Sequence, residues 1–139
     1  MSIWTHVAGV IRIDGLDEDF NWDELLGKEV GYNDSYDVWE DAGSHPNEYM
    51  PCGSEGSLEK SIWKNPDEHC LAAYTVSVFG DLRDYDDLDA IVKWFEQVCK
   101  KLWVRNAVLT AECENGRVVN VYWDSETDKL VQSYSKEEK

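Results

Sequence analysis

Cys70 to Gly80 carries the clearest apolar pattern in the chain. On an extended backbone Cys70, Ala72, Tyr74, Val76 and Val78 share one face, and Leu71, Ala73, Thr75, Ser77 and Phe79 share the other. Both faces are largely apolar, which predicts a strand near the middle of a sheet. After Gly80 the period changes. Leu88, Ile91, Val92, Phe95, Val98, Cys99 and Leu102 recur at three and four residues, the core stripe of an amphipathic helix. Asp86 is the expected N-cap, with Asp87 and Asp89 in the first turn and Lys100 and Lys101 in the last, the signs that the helix dipole favours.

Ile3 to Asp14 reads as a first strand with Ile3, Val7, Ile11 and Ile13 on one face and Trp4, Ala8 and Val10 on the other, again near the sheet centre. A short helix is expected at Trp22 to Gly27, capped by Asn21. Gly31 to Gly53 has no clean period and reads as a long acidic loop. Ser57 to Asn65 predicts a second strand, closed by the turn Asn65-Pro66-Asp67. Trp103 to Glu114 and Arg117 to Asp124 alternate as strands around Asn115-Gly116, the signature of a two-residue hairpin turn. A short Lys129 to Tyr134 strand follows. This order predicts an α+β fold of the ferredoxin-like, split βαβ kind: an antiparallel sheet, two helices on one face, and an added C-terminal hairpin strand. Residues 1–135 are expected to form one domain, with 136–139 a frayed tail.

Composition narrows the function more than the fold does. The chain has 139 residues, 42% of them hydrophobic, with seven Trp and seven Tyr, enough for a real core. Its 29 acidic and 13 basic side chains give a formal charge of -16, which argues against direct binding to nucleic acid or to an anionic membrane. A charged partner should therefore be a basic protein or ribonucleoprotein surface. There is no run of about 18 apolar residues and no basic start followed by an apolar block, so a cytoplasmic protein without a signal peptide is expected.

The acids are unevenly distributed. Between Asp14 and Asp41 there are eleven of them against the single Lys28, interleaved with Phe20, Trp22, Tyr32, Tyr36 and Trp39. Aromatic residues anchor interfaces when they find pockets, so this window looks like a surface for a basic groove. The competing reading is that the charge serves solubility while the aromatics cover the core. A second acidic cluster surrounds Asp81, Asp84, Asp86, Asp87 and Asp89. Helix capping and the dipole account for three of these and leave Asp81 and Asp84 unexplained. The expected partner-binding residues are Asp17, Glu18, Asp19, Asp23, Glu24, Asp34, Tyr36, Asp37, Trp39, Glu40, Asp41, Asp81 and Asp84.

Catalytic and metal signatures are weak. In Pro51-Cys52-Gly53-Ser54-Glu55-Gly56-Ser57 the glycines allow amides to converge on an anion, and Cys52 or Ser54 could act as nucleophile with His6, His45 or His69 as base. The acidic field works against a thiolate. The four cysteines are scattered without a CxxC pair, so a zinc site would need ligands such as His45, Cys52, His69 and Cys70. Asp124 to Asp128 imitates the start of a calcium loop, but Lys129 and Ser135 stand where Gly and Glu are required. No enzyme activity, cofactor or metal is expected.

The segments SIWTHVAGVIRIDG, PCGSEGSL and YTVSVFGDLRDYDDL resemble an uncharacterised type of small acidic protein carried by bacteriophages and mobile elements. In size and acidity the chain also resembles, in kind, anti-CRISPR proteins and other nucleic-acid mimics. That resemblance implies a non-enzymatic inhibitor of a basic, nucleic-acid-binding host defence complex, acting in the host cell cytoplasm. The alternatives are an immunity or antitoxin protein that neutralises a basic toxin, and a small enzyme using Cys52.

Overall fold

The computed structural model describes residues 2–15, 20–40 and 48–136. Six strands, β1 (Trp4–Asp14), β2 (Glu59–Lys64), β3 (Ala72–Arg83), β4 (Val104–Cys113), β5 (Arg117–Asp124) and β6 (Lys129–Lys136), form one sheet in the order β2-β3-β1-β4-β5-β6. Every neighbouring pair is antiparallel. The helices are α1 (Trp22–Leu26), α2 (Ser35–Glu40) and α3 (Leu88–Lys100). Among the described residues no helix is long and apolar enough to cross a membrane.

The period-2 geometry of the strands divides the sheet into two unlike faces. One carries Val7, Ile11 and Ile13 of β1, Val76 and Val78 of β3, Leu109 and Ala111 of β4, and Val119 and Val121 of β5, all buried. Against this face lies α3, whose Leu88, Ile91, Val92, Phe95, Val98 and Cys99 are buried as the three-and-four spacing requires. Its N-cap is Asp87, which accepts from Ala90 N at 3.0 Å, one residue beyond the expected Asp86. The short α1 is capped by Asn21 as expected. It is tied to α3 by the Trp94 indole, which donates to Leu26 O at 2.7 Å. Phe20 and Trp22 pack on Tyr74 with ring centroids 5.4 and 5.2 Å away, sealing the sheet beside β2. Among the described residues, the opposite face of the sheet carries no helix.

The expected ferredoxin-like layer of two helices on one face does not form. A packing helix needs several turns and an apolar stripe, but among the described residues the segment between β1 and β2 supplies helices of five and six residues. Only α3 is long enough to cover the sheet, which two further strands, β5 and β6, extend to six. The long loop expected at 31–53 contains α2. The turn between β4 and β5 takes three residues, Glu114-Asn115-Gly116, with Gly116 at φ 98° and its N–H donating to Cys113 O at 3.0 Å. The extra residue is used: Glu114 N donates to Trp4 O, extending the bond pattern to β1. The backbone of β6 runs through Lys136, so of the tail expected to fray, residues 137–139 lie outside the described residues.

Candidate functional site

The site begins with a buried serine. Ser35, the first residue of α2, is fully buried and donates from Oγ to Tyr32 O at 3.0 Å, while Cys52 Sγ contacts Ser35 O at 3.8 Å. Anchored on the loop 51–57 in this way, α2 turns Asp34, Tyr36, Asp37 and Glu40 to solvent. The rings of Tyr36 and Trp39 pack at a tilt of 47° with centroids 5.7 Å apart, so the exposed tyrosine is held against a half-buried tryptophan. Asp34, Asp37 and Glu40 make no ion pair among the described residues.

The loop that carries α2 is itself bonded to the end of β3. Ser54 N donates to Arg83 O and Arg83 N to Glu55 O, so the loop continues the sheet edge for one residue pair. The approach is too close for side chains: a Cβ on Gly53 would lie 2.2 Å from Arg83 O, and one on Gly56, at φ 82°, 2.1 Å from Asp81 O. Glu55 accepts from the Tyr32 hydroxyl at 2.8 Å and from the Arg83 guanidinium, and the carboxylate holds the Tyr32 phenol above its usual pKa. Ser54 Oγ donates to Asp84 Oδ2 at 2.6 Å. Asp84 sits at φ 55°, a conformation few residues other than Gly adopt, and its N–H donates to Ile3 O. Asp34, Asp37, Glu40, Glu55 and Asp84 thus converge through the two serines on one edge of the protein, with Arg83 as the cation bound among them.

The remaining residues named from the sequence divide into three groups. Asp23 is paired with Lys60 at 2.9 Å, and that lysine side chain is nearly buried; Glu24 is exposed on the same helix. Asp14 is paired with Arg105 at 2.7 Å, at the end of β1 remote from Asp84: it faces Ala72 at the start of β3, whereas Arg83 at the end of β3 faces Trp4. An eleven-residue strand separates these ends by about 33 Å. Asp81 lies on the open face, bonded to His6 Nδ1 at 2.6 Å, while Glu114 takes His6 Nε2 at 3.1 Å. These two carboxylates raise the imidazole pKa above 6.5. Asp17, Glu18, Asp19 and Asp41 lie outside the described residues. The acidic window is therefore split: Asp23 and Asp14 are paired with cations from β2 and β4, whereas Asp34, Asp37 and Glu40, at and just before α2, meet no cation among the described residues. Phe20 and Trp22 belong to the core, whereas Tyr32, Tyr36 and Trp39 belong to the edge.

Sequence reasoning missed the positioning residues Ser35, Ser54 and Glu55. The signal was the pair Gly53 and Gly56, which read as an anion cradle. Instead, the Gly53 and Ser54 amides are spent on Gly56 O and Arg83 O. Cys52 is buried, and that burial pushes its thiol up to about 11, leaving it protonated at neutral pH. Cys52 and Cys70 lie near opposite ends of β3, so they cannot share a zinc ion; His45 lies outside the described residues.

No protein-family model, curated protein or solved structure shows significant similarity to the chain.

Proposed function

We propose that the chain is a non-enzymatic inhibitor whose α2 edge occupies a basic, nucleic-acid-binding groove of a host defence complex in the cytoplasm, as anti-CRISPR proteins and nucleic-acid mimics do. The observation that carries this reading is the acidic and aromatic edge: Asp34, Asp37 and Glu40, which have no ion-pair partner among the described residues, beside the packed rings of Tyr36 and Trp39. A duplex presents about one negative charge per 1.7 Å of axis, so a mimic needs carboxylates on one side with little basic charge between them. The aromatic pair adds an apolar anchor of the type that dominates affinity at protein interfaces. Asp84 and Glu55 extend the surface toward the start of β1, whereas Asp81 lies apart from it on the open face of the sheet.

Simultaneous Asp34→Lys, Asp37→Lys and Glu40→Lys tests the reading. Exposed charge pairs contribute about 0.2–1 kcal/mol each, so the triple reversal removes about 0.6–3 kcal/mol and should weaken binding to the partner by about threefold to 150-fold while leaving the circular dichroism and melting curve intact. Reversing Glu68 and Glu126, exposed residues elsewhere, should have little effect. Binding should fall with salt, because exposed charges are screened over about 10 Å at 0.1 M. Nucleic acid should compete for the partner in a filter-binding assay. Binding that resists both nucleic acid and the triple reversal, but fails with Tyr36→Ala and Trp39→Ala, would replace mimicry with immunity-type neutralisation of a toxin.

A further inference from the structure

The face of the sheet opposite α3 is a second surface, independent of the α2 edge. The strand register sets Ser61, Ser77, Val10, Val108, Tyr122 and Val131 in one row across all six strands, without a charge. The row beside it, built on Phe79, Ala8 and Thr110, carries only Glu59, on the edge strand. In a chain of charge -16 such a neutral band is unexpected, and it is apolar: Tyr122 is 52% exposed, Val108 43% and Phe79 41%. A depression of about 280 Å³ opens between β4, β5 and β6, lined by Val108, Tyr122 and Val131. Charges return at the two ends of the strands, with opposite sign. Arg12 and the facing pair Asp124 and Lys129 lie at one end, and Asp81, His6 and Glu112 at the other.

We propose that this face binds a second copy of the chain, sheet against sheet, about a two-fold axis that lies between the copies and crosses the strands. That axis exchanges the two ends. Arg12 of each copy then lies over His6 of the other, between the Asp81 and Glu112 that flank that imidazole, so the guanidinium meets the two carboxylates twice. The same operation lays one central row over the other, setting Tyr122 above Asn120, Val108 above Thr110 and Phe79 above Ser77, large side chains over small or polar ones. Face-to-face sheets pack about 10 Å apart in this manner, and a symmetric dimer needs one self-complementary patch. Six strands about 4.8 Å apart and about eight residues long present roughly 750 Å². Two such faces bury roughly 1,500 Å² in total, within the usual size of a specific interface. A like-charged copy is repelled over most of the surface, and this face is where repulsion is least and apolar contact greatest.

Light scattering with size-exclusion chromatography and sedimentation equilibrium reads the outcome. The 16.0 kDa chain should run at twice that mass at tens of micromolar, and Tyr122→Lys should return it to the monomer with unchanged circular dichroism. Arg12→Glu and Glu112→Arg should each weaken dimerisation about tenfold or more, and their combination should restore it, since the pair regains opposite charges across the axis. A wild-type chain that stays monomeric at hundreds of micromolar overturns the proposal. So does a dimer indifferent to Tyr122→Lys. A dimer lost with Tyr122→Lys, whose charge swap fails to rescue, overturns the orientation.

Discussion

Phe95 is the side chain on which the covered face most depends. It is fully buried in the middle of α3, with Ile91, Val92, Val98 and Cys99 buried around it on the same stripe. Among the described helices α3 alone spans the sheet, so neither of the others can close over a gap there. Removing the ring forfeits a transfer contribution of about 1.5–3 kcal/mol. The unfilled space adds to it, so Phe95→Ala should cost about 3–5 kcal/mol. Domains of this size hold about 5–15 kcal/mol in all, so the loss is a large fraction of the total. With a urea slope of about 2 kcal/mol per molar, the unfolding midpoint should drop by roughly 1.5–2.5 M at unchanged slope. Urea titration followed by tryptophan fluorescence measures this directly, since the chain holds seven Trp. Gln97→Ala, exposed on the other side of α3, is the control and should stay within about 0.5 kcal/mol of wild type. A Phe95→Ala midpoint within about 0.5 M of wild type would sink the assignment of α3 as the layer that closes the sheet.

Two further outcomes follow from the ionisable groups. Cys52→Ser should leave partner binding unchanged, and native Cys52 should alkylate far more slowly at neutral pH than after unfolding, because burial holds the thiol at about 11; loss of activity in a folded Cys52→Ser variant would restore a catalytic reading of the loop. His6 has a folded pKa raised above 6.5 by Asp81 and Glu114, so its stabilisation is complete below pH 6.5 and is lost as the pH rises through the higher folded value; melting curves across that range should flatten in His6→Gln, and an identical pH profile in the variant would contradict the bridging role.

What the amino-acid pattern determined by itself is local and periodic. The strand at 72–83 and the helix at 88–100 are legible because each repeats one spacing over ten or more residues, and the turn before Arg117 because Gly116 must take a positive φ. The Asn21 cap and the charges at the ends of α3 are legible for the same reason: they act within one turn. Tertiary structure decided the rest. α2 has no stripe to announce it, and it is fixed by Ser35 reaching the loop 51–57, across more than a dozen residues of chain. The eleven acids of the window look equivalent in sequence. They are separated by where cations arrive from: Lys60 of β2 and Arg105 of β4 neutralise Asp23 and Asp14, and no cation among the described residues reaches Asp34, Asp37 or Glu40. The two-helix expectation failed for a related reason. A short apolar cluster such as Trp22, Leu25 and Leu26 reads as a helix, but only its packing on Tyr74 and Trp94 reveals that it patches one edge of the sheet and does not span it.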